Sequence, residues 1–365
     1  MIKKRSGIVL AAVTALIVAA GSFYYLMTRN RYQKYTDSFF DTFDTVVTVV
    51  AYTRNEQEFK SYFGKIHARY QELHRLYDIY NTYPGINNIK TINDNAGVKP
   101  VVVSKEIIDL IKFSKDWYNR TGGKTNIAMG PVLRIWHEYR QEGQDDPANA
   151  KIPPMEDLLK AKRHTDISKV IVDEEKSTVY LADKEMSLDV GAVAKGFATE
   201  LVAREMEAEG LKSALISAGG NVRAIGKPLD GRRQRWAVGI QDPAKSILPG
   251  DDNLLDIIYI TGASVATSGG YQRYHVVDGK ILHHLIDPAT LMPGDLYRSV
   301  TILADDAGVA DFMSTTAFLL PYEESRALVE SLPGVEALWV MPDGEVRVTP
   351  GMKDIMQSHG ASGSS

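Results

Sequence analysis

The 365-residue chain contains no cysteine. That removes disulfides, Cys-ligated zinc, iron–sulfur clusters, thiol nucleophiles and a lipoprotein attachment site together. It leaves the compartment open, because an exported protein with a large enough core needs no disulfide. Positive charge is not in excess: the net charge is −4, which speaks against broad nucleic-acid binding. No internal repeat at a solenoid or propeller period is present, and no low-complexity tract. There is no Walker phosphate loop and no GxGxxG dinucleotide fingerprint. What remains is an ordinary globular composition, 44% hydrophobic and 24% charged, with length for one large domain or two smaller ones.

The N-terminus carries compartment information. Lys3, Lys4 and Arg5 precede an uncharged apolar run from Gly7 to Met27, about the ~20 residues a helix needs to cross a bilayer. Basic residues before such a run place the N-terminus in the cytoplasm and the rest outside. A cleaved signal peptide is the rival reading, because Ala19-Ala20-Gly21 is a small-residue stretch. An uncleaved anchor is preferred because the run continues through Phe23, Tyr24, Tyr25, Leu26 and Met27. Both readings export the folded part.

Beyond the polar juxtamembrane stretch, Thr42 to Tyr52 is rich in Val and Thr, which predicts a strand. Phe59, Tyr62, Phe63, Ile66, Tyr70, Leu73 and Tyr77 recur at helical spacing. Asn81 to Gly97 is turn-rich. Ser104 is placed to cap a second helix, which Gly122-Gly123 ends. Gln141 to Pro154 reads as a surface loop, Val170 to Leu181 as a hairpin, and Lys195 to Glu209 as a helix closed by Gly210. Short strand-like runs follow at Ala214–Ile216, Trp236–Ile240, Ile257–Ile260, 273–277 and Ser299–Leu303. A helix over Gly308–Leu320 and a hairpin over Leu338–Val348 complete the pattern. Strands and helices mix without strict alternation, so the fold class is α+β.

Several segments carry side chains suited to chemistry. Asp311 and Thr315 lie four apart on a predicted helix and share a face. Their hard oxygens suit Mg²⁺ or Ca²⁺ better than zinc, although Asp near a helix start also complements the dipole and Thr bonds the carbonyl one turn back. His283-His284-Leu285-Ile286-Asp287-Pro288 follows the strand-like Lys280–Leu282. A His there, near an Asp, has the setting of a general base, or simply of a turn that contains His. Leu215 to Asn221 and Thr267-Ser268-Gly269-Gly270 are apolar runs that end in small residues, where a backbone can approach a phosphate. In Asp189 to Gly196 an Asp ends a strand, small residues turn, and Lys195 opens a helix, a favourable place for an anion. Asp189 as a mere turn cap stays open.

Together these segments resemble the ApbE family of FAD:protein FMN transferases. Asp189-Val190-Gly191-Ala192-Val193-Ala194-Lys195-Gly196 is similar to the family's D-L-G-G-I-A-K-G. Ala218-Gly219-Gly220-Asn221-Val222-Arg223 is similar to L-G-G-N-I-R, and Ala266-Thr267-Ser268-Gly269 to A-T-S-G. His284-Leu285-Ile286-Asp287-Pro288 resembles H-I-I-D-P, and Ala310-Asp311 with Thr315 resembles A-D-x-x-x-T. Phe43-Asp44-Thr45-Val46-Val47-Thr48 is a variant of M-G-T-x-V-T. The similarity runs in order from Phe43 to Leu320.

The resemblance implies a T-fold-like α+β domain behind one N-terminal transmembrane helix. The expected layout is a cytoplasmic stub at 1–6, an anchor at 7–27, a juxtamembrane linker at 28–41, a flavin transferase domain at 42–350 and a flexible tail at 351–365. It implies a Mg²⁺-dependent phosphotransferase-type enzyme on the extracytoplasmic side of the membrane. Such an enzyme moves FMN from FAD to a Ser or Thr of an exported acceptor protein and releases AMP. Asp311 and Thr315 would ligate the metal with the Ala192 carbonyl and Ser314. His284, with Asp287, would serve as catalytic base. FAD would meet Phe43, Tyr83, Lys124, Thr125, Asn126, Asp189, Lys195, Gly219, Gly220, Asn221, Thr267 and Ser268. Phe43 stands where the family commonly has Met, and Asn126 where it often has Asp, so Asn126 is expected as a contact rather than a base. An FAD pyrophosphatase giving free FMN and AMP, and a non-catalytic flavin-binding membrane protein, are the competing expectations.

Overall fold

The computed structural model describes residues 14, 17–21, 32–245, 253–271 and 274–364. Of the candidate anchor at 7–27, only Thr14 and residues 17–21 are described, helical and exposed; the rest lies outside the described residues. Among the described residues no helix is long and apolar enough to cross a membrane.

Fifteen strands and nine α-helices are described. The strands are β1 (Gln33–Thr42), β2 (Thr45–Thr53), β3 (Val101–Val102), β4 (Val170–Asp173), β5 (Thr178–Leu181), β6 (Ala214–Ala218), β7 (Asn221–Ile225), β8 (Trp236–Gln241), β9 (Leu254–Ile260), β10 (Ser264–Gly269), β11 (Tyr274–Val277), β12 (Lys280–His283), β13 (Ser299–Ala304), β14 (Glu336–Val340) and β15 (Val346–Val348). The helices are α1 (Glu56–Tyr77), α2 (Ile89–Asp94), α3 (Lys105–Arg120), α4 (Gly130–Asp145), α5 (Met155–Lys162), α6 (Ala194–Ala208), α7 (Ala307–Phe318), α8 (Tyr322–Ser331) and α9 (Pro350–Ile355).

The centre is one eight-stranded sheet in the order β1-β2-β6-β7-β10-β13-β14-β15, antiparallel throughout. Core packs on both faces of its central strands, and the period-2 rule of strands divides the side chains between them. Val47, Val49 and Ala51 of β2, and Ala337 and Trp339 of β14, join the core beneath α1, α6 and α7. Their neighbours Tyr52, Leu338 and Val340 point the other way, onto the β8–β9 hairpin and onto Met352 and Met356 near the C-terminus. A smaller cluster joins α4 to the β11–β12 hairpin through Val132, Trp136, Val277 and Leu282.

The ends of these elements have local causes. Asn55 caps α1 by accepting the Glu58 N–H at 2.9 Å, while Glu58 accepts the Arg54 N–H at 2.7 Å, satisfying donors the helix start leaves over. Asp306 caps α7 through the Val309 N–H at 3.0 Å. The predicted helices over 59–77, 195–209 and 308–320 are present, as are the hairpins over 170–181 and 338–348.

Other expectations are corrected. The linker expected at 28–41 is strand from Gln33 onward: Phe39 is buried against Phe63, His67 and Tyr70 of α1, and the polar residues between face water. Of the tail expected to be flexible at 351–365, the described residues 351–364 are packed. Met352 and Met356 are buried, and the Gly363 carbonyl accepts the Gln234 N–H at 2.7 Å. Asn81–Gly97 contains α2, whose cap Asn88 donates to the Arg75 and Asn81 carbonyls at 3.0 and 2.8 Å. The loop expected from Gln141 is helix as far as Asp145. No strand ends at Asp189, which lies in an irregular segment before α6.

Register positions the functional end of the sheet. Val47 faces Ala218 and Val265 faces Val222. The β1–β2 turn, the β6–β7 turn and the last residues of β10 therefore emerge at the same end.

Candidate active site

At that end lies a cleft of about 740 Å³. Of the residues that the resemblance assigns to FAD, the metal or the base, all line it except Tyr83, Gly220, Asp287 and Ser314.

One wall is aromatic. The β1–β2 turn holds Phe43 and Asp44 both at positive φ, 53° and 48°, as a two-residue type I′ turn demands. Left-handed backbone at a non-glycine residue costs about 1–3 kcal/mol, and Asp tolerates it better than Phe. The Phe43 N–H donates to His74 Nδ1 at 3.2 Å, and its ring packs against His74, Tyr70 and Tyr77. The strain is thus offset by a ring fixed at the cleft. Tyr80 joins this wall and Tyr83 does not. Asp78 accepts the Tyr83 hydroxyl at 2.7 Å and the N–H groups of Tyr80 and Asn81 at 2.7 and 3.0 Å, which holds Tyr83 on Asp78 and leaves Tyr80 58% exposed beside His137.

The opposite wall is built of oxygens. Asp311 and Thr315 sit one turn apart on α7, both buried. Asp311 Oδ2 accepts the Gly196 N–H at 2.8 Å, near the start of α6. That contact needs a glycine: a Cβ on Gly196 would lie 2.3 Å from the Ala307 carbonyl oxygen and 2.4 Å from Asp311 Cβ. Gly196→Ala should therefore lower unfolding stability by about 1–3 kcal/mol, measured by urea titration; an unchanged midpoint would contradict this packing. Ser268 from β10 brings its Oγ to 2.8 Å from Ser314 Oγ and 3.4 Å from Thr315 Oγ1. Ser314 donates to the Asp311 carbonyl at 2.9 Å and does not face the cleft. Its hydroxyl is the partner of Ser268, which does line the cleft.

Burial pushes the Asp311 carboxyl above the usual carboxylate range, with Lys195, the Gly196 N–H and Asn221 pulling it back. Asn221 is buried, and its Nδ2 makes no well-formed hydrogen bond among the described residues. This amide lies close enough to the Asp311 carboxylate to draw it and, as a buried donor at the cleft, fits a ligand oxygen. Burial likewise raises Asp189, opposed by the Gly191 N–H and by His137, Arg140 and Lys195. Among the described residues no three His, Cys, Asp or Glu side chains form a metal cluster. One carboxylate with hydroxyl and carbonyl oxygens is instead the donor set of a hard divalent cation that keeps waters. Gly219 gives the β6–β7 turn its φ of +57°, where a Cβ would meet Thr45 Oγ1 at 2.2 Å.

His284 closes the site from the loop after β12. Its neighbour His283 points inward, with Nε2 2.5 Å from the Gly294 carbonyl and Nδ1 accepting the Leu285 N–H at 3.2 Å. Only the second of the pair faces the cleft. The Asp287 carboxylate pairs with Lys124 at 3.0 and 3.2 Å and accepts the Ala289 N–H. Thr125 Oγ1 lies 2.8 Å from Thr316 Oγ1. Asn126 spends its side chain on the Ala128 N–H and the Thr165 carbonyl, and its own carbonyl accepts the Met129 N–H at 3.1 Å. The sequence reading missed a third wall altogether: Met129 and, from α4, Leu133, Trp136, His137 and Arg140.

A cleft with aromatic rings on one side, and hard oxygens, a lysine and a histidine on the other, is that of a protein binding a large planar ligand that bears phosphates. The comparisons give this class a family. A model of the ApbE family matches residues 43–339. An FAD:protein FMN transferase of Treponema pallidum is 33% identical over 307 residues, 80% of this chain and 82% of that protein. One of Klebsiella pneumoniae is 29% identical over 278 residues, 76% and 82% of the two chains. The ApbE protein of Thermotoga maritima superposes with a TM-score of 0.76 at 28% identity, over 88% of this chain and 98% of that one. The flavinyl transferase ApbE of Pseudomonas stutzeri, at 21% identity, shares the fold with a TM-score of 0.72 over 89% and 97%. The chain belongs to the ApbE family.

Proposed function

We propose that this chain is an FAD:protein FMN transferase that moves FMN from FAD onto a Ser or Thr hydroxyl of an exported acceptor protein and releases AMP. The observation that carries the reading is the convergence of Asp311, Thr315, Ser268, Lys195 and His284 on one cleft with an aromatic wall. The family membership and the names of the Treponema and Klebsiella relatives support it.

The acceptor hydroxyl oxygen attacks the FMN phosphorus of FAD, and the bond from that phosphorus to the bridging oxygen breaks. AMP departs with that oxygen, and the hydroxyl proton passes to His284. Phe43, Tyr77 and Tyr80 offer faces for the isoalloxazine ring. Lys195 and the Asn221 amide meet phosphate oxygens. Asp311, Thr315, Ser268 and the Ala192 carbonyl are the donors for Mg²⁺. Bound there, the ion would neutralise charge developing on the phosphoryl oxygens. Lys124, pinned by Asp287, adds a fixed positive charge beside His284.

The domain is proposed to lie on the extracytoplasmic side of the membrane, tethered by residues 7–27. Support comes from Lys3, Lys4 and Arg5 before an uncharged apolar run.

The test is incubation of the protein with FAD, magnesium and an exported acceptor, followed by denaturing electrophoresis. Transfer predicts a fluorescent acceptor band that survives denaturation and disappears with chelator. Free FMN and AMP without a labelled acceptor would mean hydrolysis instead. FAD binding without turnover would mean a flavin carrier.

A further inference from the structure

Glu200 and Arg223 are charged and buried, and neither lines the cleft. Glu200 stands one turn after Gly196 on α6, and its Oε2 accepts the Ala307 N–H at 2.8 Å. Ala307 stands one turn before Asp311 on α7. The bond from the Gly196 N–H to Asp311 and the bond from the Ala307 N–H to Glu200 are therefore two rungs between the same two helices, one turn apart on each. The helices lie close here: a Cβ on Gly308 would be 3.3 Å from Phe197 Cα. Glu200 Oε2 also accepts Arg223 Nε at 2.9 Å. Arg223 follows Asn221 by two on β7, so both project from one face of that strand. Glu200 Oε1 accepts Arg204 Nε at 2.7 Å, and Arg204 Nη2 reaches Asp306, the cap of α7, at 2.8 Å.

The three elements share one arrangement. α6, α7 and β7 each give a residue to the oxygen wall, namely Gly196, Asp311 and Asn221, and each is tied at Glu200 one helical turn or one strand repeat further along. A buried ion pair often adds little to stability, because the cost of removing two charges from water offsets their attraction. What this one fixes is register. A helix that slides by one residue moves ~1.5 Å along its axis. Metal–oxygen distances tolerate only ~0.2 Å, and Mg²⁺ demands near-ideal octahedral geometry. We propose that Glu200, held by Arg223, is a positioning residue for the cation site. It sets α7 and β7 against α6, so that the Asp311 carboxylate and the Thr315 hydroxyl stand within bonding reach of one divalent ion. This rests on the metal reading above.

The test titrates manganese into the full chain with FAD present, read by electron paramagnetic resonance, beside a melting curve recorded without metal. Two variants separate position from stability. Glu200→Gln keeps an oxygen for the Ala307 N–H but leaves Arg223 without its counter-charge. It should melt lower than wild type and bind manganese with wild-type affinity. Glu200→Leu combined with Arg223→Met leaves no unpaired charge but removes the acceptor. It should melt no lower than Glu200→Gln and bind manganese about 10- to 100-fold more weakly, the usual cost of losing a partner that orients a metal ligand. FAD affinity without metal should hold in both, since neither residue lines the cleft. Manganese affinity that simply follows the melting temperature, or that is unchanged in the double variant, would overturn the proposal. If the double variant did not fold, weak manganese binding by folded Glu200→Gln would overturn it and wild-type binding would support it. A wild-type protein that binds FAD but no manganese would overturn the metal reading itself.

Discussion

Replacing Asp311 by Ala should lower the rate of flavin transfer by ~10³-fold or more, since the ion it would hold supplies several kcal/mol of charge stabilisation. FAD binding should fall far less, because the aromatic and α4 walls are untouched. The same carboxylate gives a signature independent of turnover. Burial holds the Asp311 carboxyl above its ordinary value, so the folded protein binds that proton more tightly than the unfolded chain. Stability from this group is present at low pH and is lost as pH rises from the ordinary carboxylate value, ~3.9, through the raised one. A cation that binds the ionised form offsets this loss. Magnesium should therefore raise the melting temperature at neutral pH and lose that effect as the solution is acidified. Asp311→Asn should melt independently of magnesium throughout. A magnesium effect that persists in Asp311→Asn would remove this carboxylate from the metal site.

His284→Ala should cut transfer by about 10²–10⁴-fold, the ordinary worth of a positioned base, while FAD affinity stays near wild type. The adjacent histidine is the control. His283 is buried and bonded to backbone at both ring nitrogens, so His283→Ala should act through stability, as a lower melting temperature. If His283→Ala silenced transfer at full stability while His284→Ala did not, the two roles would have to be exchanged. Asp287→Asn should have a smaller effect than His284→Ala, because Asp287 pairs with Lys124 and is not among the residues that line the cleft.

Much of this site was legible because its residues lie in short, contiguous patterns. Asp311 and Thr315 share a helix face by spacing alone, and the Asp189–Gly196 turn brings Lys195 and Gly196 with it. What was not legible depended on contacts distant in sequence or on local competition. The α4 face carrying Trp136, His137 and Arg140 has the period of any amphipathic helix, and that period reads the same whether the helix faces a core or a cleft. Tyr80 and Tyr83 are both aromatic and three apart; only the Asp78 carboxylate, by taking the Tyr83 hydroxyl, decides which one faces the ligand. β1 hid among polar residues because a strand buried on one face needs few apolar positions, here Phe39 with Tyr35 beside it. Ser314 shares α7 with Asp311 and Thr315, yet its hydroxyl bonds the Asp311 carbonyl and Ser268, and of the two serines only Ser268 lines the cleft.

The central claim is that one cation site, made by Asp311 and Thr315, grips the diphosphate of FAD between the two walls. Crystals of the protein grown with FAD and manganese, measured at the manganese absorption edge, test it directly. The account predicts an anomalous peak in bonding contact with the Asp311 carboxylate, the Thr315 hydroxyl and a phosphate oxygen, with the isoalloxazine against Phe43 and Tyr80. Manganese bound elsewhere, with FAD seated in the cleft and no metal beside Asp311, would contradict it.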